Sequence, residues 1–116
     1  MVRYYTSDGY WASLLRKSLC KLMILESLRK SPIHGYALIR RMELISDHFF
    51  MPAQGAVYPA LRDFERAGCV RHEVELIGRR RRKVYSLTPE GRKALRAGLA
   101  AWERGLACVQ KAIAHG

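Results

Sequence analysis

The chain has 116 residues, 49% of them hydrophobic, and a formal net charge of +11. That is room for one domain with a core that needs neither disulfides nor metal, and a charge suited to nucleic acid or an anionic membrane surface rather than neutral small molecules. No apolar run approaches the roughly 20 residues that a bilayer-spanning helix requires, and Met1 to Trp11 lacks the apolar core of a secretory signal, so a cytoplasmic protein is expected.

The three cysteines, Cys20, Cys69 and Cys108, form no CxxC pair and no His is spaced with them as a metal ligand would be. Cys20 and Cys108 fall within helical patterns and read as small buried packing residues, with redox sensing the alternative. No metal and no cofactor is expected. Of the 21 basic residues 15 are arginine, the side chain suited to bidentate contacts with phosphate and guanine.

In chain order, the first helical pattern runs from about Trp11 to Lys30. Its broad apolar face comprises Leu15, Leu19, Leu22, Met23 and Leu25, and Ser31-Pro32 ends it. A second helix spans Gly35 to about Ser46, with Tyr36, Leu38, Ile39, Met42 and Ile45 as its apolar residues at helical spacing and Arg40 and Arg41 on the opposite side. His34, at its head, has no ligand partner nearby and reads as a cap or packing residue. Asp47 to Pro52 is a connection rich in large apolar residues. The third helix lies between Ala53 and Ala67, buries Val57, Leu61 and Phe64, and stops at Gly68. Pro59 confines its regular part to Tyr58 onwards or kinks it.

Period-two alternation follows, with Val70, His72, Val74 and Leu76 on one face. Ile77-Gly78-Arg79 turns the chain, and Lys83 to Leu87 returns with Tyr85 and Leu87 inward. The result is a two-stranded hairpin whose tip carries five consecutive cations, Arg79, Arg80, Arg81, Arg82 and Lys83, with no acid between Glu75 and Glu90. Thr88-Pro89-Glu90 opens the last helix with a cap, a proline at its first position and an acid on the dipole. Leu95, Leu99, Trp102, Leu106, Val109 and Ile113 then repeat at heptad spacing for longer than a small domain needs to cover itself. They form the expected dimer interface, and Gly91, Gly98 and Gly105 would let another backbone approach.

Three helices, a basic hairpin and an extra helix give a mainly α fold with a small β-hairpin: a winged helix-turn-helix with a C-terminal dimerisation helix. The expected organisation is an N-terminal extension at 1–13, a DNA-binding domain at 14–87 and a dimerisation helix at 88–116. Gln54, Gly55, Ala56, Tyr58 and Arg62 are candidate contacts to double-stranded DNA from the third helix. Gln54 suits adenine, Arg62 guanine or phosphate, and Tyr58 is either contact or core. Arg79 to Lys83 are the candidate phosphate contacts of the hairpin. No nucleophile motif or phosphate loop points to an enzyme. An architectural, nonspecific nucleic-acid binder and a protein–protein module built on the heptad seam are the rival readings.

The strings Pro32-Ile33-His34-Gly35-Tyr36-Ala37-Leu38, Gly55-Ala56-Val57-Tyr58-Pro59-Ala60-Leu61, Glu65-Arg66-Ala67-Gly68 and Gly78-Arg79-Arg80-Arg81-Arg82-Lys83-Val84-Tyr85-Ser86-Leu87-Thr88-Pro89-Glu90-Gly91 resemble, in this order, the PadR family of transcriptional regulators. The likeness covers roughly Leu14 to Ile113. It implies a homodimeric winged-helix repressor that leaves a palindromic operator on binding an effector. The single C-terminal helix resembles the short branch of the family, in which an aromatic at the position of Trp102 stacks on flat ligands, so a small aromatic effector at Trp102 is implied. Ala53 and Ala56 depart from the pattern, standing where the family has hydroxyl or amide side chains at the start of the recognition helix. Tyr4, Tyr5, Tyr10 and Trp11 have no counterpart role in it.

Overall fold

The computed structural model describes residues 4–116. A 3-10 turn at Tyr4–Thr6 leads into α1 (Asp8–Leu28), followed by β1 (Ile33–His34), α2 (Gly35–Ile45), α3 (Gln54–Arg66), β2 (Val70–Ile77), β3 (Arg80–Leu87) and α4 (Pro89–His115). Apolar residues at three- and four-residue spacing bring one stripe of each helix to a common centre. Ile24, Leu25 and Leu28 of α1 meet Leu38, Ile39 and Met42 of α2 and Val57, Ala60 and Leu61 of α3. Val70, Tyr85, Leu87 and Leu95 close the cluster from the sheet and α4.

Local signals set the helix ends. The α3 terminus is a Schellman motif: Cys69 N–H donates to Phe64 O (2.8 Å) and Gly68 N–H to Glu65 O (3.0 Å), with Gly68 at φ +76°. The α2 terminus repeats those bonds, His48 to Glu43 O and Asp47 to Leu44 O, but with Asp47 and His48 at positive φ where glycine would be unstrained. Ser46 Oγ then accepts from Phe50 N–H at 3.0 Å, which seats the Phe50 ring in the interior and fixes the approach to α3. At the head of α4, Thr88 Oγ1 accepts from Gly91 N–H at 3.0 Å, as its capping role requires.

Several expectations need correction. The hairpin is part of a three-stranded antiparallel sheet of order β1-β3-β2, in which Ile33 pairs with Tyr85 and His34 with Val84. A two-residue strand has no periodicity to read. The first helix begins at Asp8, so it runs unbroken across the expected boundary at 13/14; residues 1–3 of the expected extension lie outside the described residues. Leu15 lies on the open side of α1, and Tyr36 and Ile45 are exposed, because the buried stripe of α2 is Leu38, Ile39 and Met42. Arg41 does not face away: its guanidinium donates to Ser27 O (2.8 Å), Ser31 O (3.1 Å) and Ser31 Oγ (3.0 Å), closing carbonyls at the end of α1. Cys108 is exposed rather than buried.

Two of the three heptad glycines serve this chain itself. A Cβ on Gly91 would run into the Cys69 carbonyl oxygen, and one on Gly98 would stand 2.8 Å from a Leu22 methyl. With Arg92 Nη1 reaching Arg29 O at 3.5 Å, these contacts set α4 antiparallel against the second half of α1. Beyond Leu99 the apolar stripe is uncovered: Trp102, Leu106, Val109 and Ile113 are all exposed. The first half of α1 also bares Trp11, Leu14 and Leu15.

Candidate nucleic-acid interface

The third helix has a buried side and an open side, and the open side holds every candidate contact except Tyr58. Gln54, Gly55, Ala56, Pro59 and Arg62 are exposed, while Val57 and Leu61 are sealed in the core. Ala53 takes the cap position without a side-chain hydrogen bond. The first N–H groups of α3 therefore keep their positive end available to an anion. Pro59 lies inside the helix, which is regular from Gln54, so α3 starts earlier than Tyr58 and tolerates the missing donor.

Tyr58 is half-buried and packs on the head of α2. A Cβ on Gly35 would lie 2.5 Å from its ring and 2.7 Å from its hydroxyl oxygen. Glycine at 35 is thus what allows α2 and α3 to meet at this crossing. The capping reading of His34 also stands: its Nδ1 accepts from Ala37 N–H at 3.3 Å.

The wing places its cations differently from expectation. Gly78 and Arg79 alone make the turn, with Gly78 at φ +61° as a hairpin turn with glycine first demands. Arg80, Arg81, Arg82 and Lys83 are the first half of β3, so the charge lies along a ribbon edge instead of clustering at a tip. Nor is it wholly unopposed, because strand pairing puts Glu75 opposite Arg82, with Arg82 Nη2 3.9 Å from its carboxylate. Among the described residues Arg62, Arg79, Arg80, Arg81 and Lys83 make no ion pair, whereas Arg66 is held by Asp63 at 3.2 Å.

Helix and wing come together in an open cleft of about 260 Å³ lined by His34, Gly35, Tyr36, Tyr58, Arg81, Arg82 and Lys83. One contact fixing their relative position went unseen in the sequence. His72 Nδ1 of β2 lies 2.6 Å from Glu65 Oε2 of α3, tying the wing to the recognition helix. Their separation of seven residues across a turn carries no recognisable spacing. Burial beside this pair, then the Glu65 charge and Tyr58, raises the Tyr85 pKa, while nearby Arg62 opposes the rise. No group of three or more His, Cys, Asp or Glu able to hold a metal ion occurs among the described residues.

A helix with an open N-terminal face, a cationic two-stranded wing and a common cleft between them define a winged helix-turn-helix of the DNA-binding kind. Comparison with known proteins specifies the class further. Residues 24–97 match the transcriptional regulator PadR-like family. The transcriptional regulator Rv3488 of Mycobacterium tuberculosis is 31% identical over 80 residues, covering 69% of this chain and 72% of that protein. A PadR family transcriptional regulator from Eggerthella lenta shares the fold with a TM-score of 0.82 and 29% identity, covering 95% of both chains. A Clostridium thermocellum transcriptional regulator, 22% identical, matches with a TM-score of 0.77 over 85% of this chain and 96% of its own, and shares the fold.

The chain belongs to the PadR-like family of transcriptional regulators. It is a regulator and not an enzyme. No helix among the described residues is long and apolar enough to cross a membrane.

Proposed function

We propose that the protein is a cytoplasmic homodimeric repressor that binds a palindromic operator through α3 and the wing and is released by a small effector. The observation that carries this reading is the pairing of two open surfaces on one rigid frame. Unpaired cations flank the exposed side of α3, and an uncovered apolar stripe runs down the far half of α4. In this reading the DNA-binding part ends at Leu87 and 88–116 form the dimerising part, with the first half of α1 contributing Trp11, Leu14 and Leu15 to the same interface.

In this reading Leu95 and Leu99 anchor α4 to its own chain, and Trp102, Leu106, Val109 and Ile113 meet a second copy. A two-fold axis there would set the recognition helices about 34 Å apart, one turn of duplex. Gln54 and Arg62 choose bases, Gly55 and Ala56 let the start of α3 approach the backbone, and Arg79 to Lys83 hold phosphates. Trp102, half-exposed on the stripe, is the place for a flat aromatic effector.

The test is binding to genomic fragments recovered by the protein, alongside sedimentation. Gln54→Ala or Arg62→Ala should weaken the recovered site by about 1–3 kcal/mol and random duplex far less. Equal losses on both would favour the architectural reading, and a monomer in sedimentation would sink the dimer.

A further inference from the structure

The far half of the wing bares aliphatic side chains that no other described residue covers. Val70, His72, Tyr85 and Leu87 share one face of the β2–β3 ribbon, and the first and last two of these are buried against the core. Further along, register pairs Val74 with Lys83 and Leu76 with Arg81 on that same face, and Ile77 with Arg80 on the other. Leu76 is 66% exposed, Val74 55% and Ile77 45%. The two aliphatic side chains nearest the turn therefore project from opposite faces of the ribbon, each beside an unpaired arginine.

A ribbon lying on a surface needs apolar groups on one face only. Groups on both faces suit a ribbon that enters a groove and meets a wall on each side. The cations select the occupant, since two such ribbons repel and a polyanion neutralises them. The minor groove of duplex DNA is about 6 Å wide. Its walls are phosphates at the rim and deoxyribose carbons below, matching arginines that flank aliphatic side chains. Aliphatic wedges in that groove part neighbouring base steps and bend the duplex.

We infer that the wing is a minor-groove wedge, in which Leu76 and Ile77 enter between the sugar walls and open the base stack while Arg79, Arg80 and Arg81 hold the rim phosphates. This rests on the DNA-binding reading above and adds a deformation to it. Part of the protein's sequence preference then comes from how easily a site is bent rather than from base contacts.

The experiment uses duplexes that the protein itself recovers from a random pool, with 2-aminopurine replacing adenine at successive positions flanking the α3 contact. The full-length protein should raise 2-aminopurine fluorescence several-fold at one flanking step. Leu76→Thr combined with Ile77→Thr keeps strand preference and alters only exposed side chains. It should abolish that rise and weaken binding about tenfold, while the slope of log affinity against log salt stays unchanged because the phosphate contacts remain. An unaltered rise in the double variant overturns the wedge, as does binding with the full salt slope and no rise in the unmutated protein. Loss of binding to phosphatidylglycerol vesicles with duplex binding intact would assign the ribbon to a lipid surface and also overturn it. No duplex bound at any salt would instead overturn the DNA-binding reading itself.

Discussion

The two halves of α4 carry the same heptad pattern and meet opposite fates. Leu95 is sealed against the core, Gly91 lies so close to the Cys69 carbonyl that no larger residue fits, and a Cβ on Gly98 would have to displace a Leu22 methyl. Seven residues beyond Leu95 the stripe is bare from Trp102 to Ile113. The ribbon repeats this contrast, with Val70 and Leu87 covered at its base and Val74 and Leu76 open near its turn. Periodicity that outruns the core of its own chain marks surface prepared for something else.

Substituting one residue from each half of α4 tests the contrast most directly. Leu95→Ala should cost about 2–5 kcal/mol in chain stability, as buried leucine truncations do, and the loss should not depend on protein concentration. Leu106→Asp should leave the fold of the single chain intact, yet yield monomers in sedimentation and bind the recovered operator poorly. If Leu106→Asp stayed dimeric, or if it unfolded the chain as Leu95→Ala does, the two halves would not differ in kind.

A second test concerns the frame that both halves share. Arg41→Ala removes three hydrogen bonds to the end of α1, one of them to the carbonyl of the buried Ser27. A charged donor leaving such acceptors should cost about 1.5–3 kcal/mol in thermal or denaturant unfolding. Arg40→Ala, whose exposed guanidinium loses only a long pair with the half-buried Glu43 at 3.8 Å, should cost under about 1 kcal/mol. Equal effects would mean that the Arg41 contacts contribute no more than a surface ion pair.

The wing offers the next smaller effect. Arg80→Ala with Arg81→Ala should weaken all duplexes alike and lower the salt slope by about 0.9 for each phosphate no longer neutralised. With two phosphates lost, a fourfold change of salt then alters relative affinity about tenfold, read from titrations at several salt concentrations. A retained slope would place these arginines off the backbone and leave the cleft beside Tyr58 to hold the phosphates.

What was legible in the sequence follows the same divide. Stripes that pack within the chain were readable because burial enforces a period: Val57 with Leu61, Tyr85 with Leu87, and the Thr88 cap all lie where spacing put them. The order of helices and wing was readable for that reason. The start of α1 was not, because Ser7 makes no side-chain cap bond. Tyr4, Tyr5, Tyr10 and Trp11 pack instead on one another, their neighbouring ring centroids 4.5–6.3 Å apart, with Trp11 Nε1 donating to Tyr5 O. β1 is too short to show a period. Arg41 looked like a solvated cation because its acceptors lie 10 and 14 residues away. In the candidate site the cations and the open face of α3 were legible as residue types. Their relative placement was not, since it depends on Glu65 meeting His72 and Tyr58 lying on Gly35.

The smallest effect compares two thiols, one on each side of the covered–open divide. Cys20 is half-buried on α1 beside Phe50 and Met51, and that burial raises its pKa above the usual thiol value, so the folded chain favours the protonated, unreactive form. Cys108 is exposed on α4, two positions on from Leu106 and hence roughly opposite the apolar stripe, so a dimer formed along that stripe leaves it accessible. Iodoacetamide should therefore alkylate Cys108 well before Cys20 in the dimer, as followed by peptide mass. The sign of the linkage follows from the raised value. The protonated Cys20 thiol adds its small share of stability below the ordinary thiol pKa and loses it as pH climbs through the raised folded-state value. Cys20→Ser, unable to titrate there, should flatten that alkaline decline slightly. Protection of Cys108 in the dimer but not in Leu106→Asp would show that the partner wraps past the Trp102 stripe and covers the outer face of α4 as well.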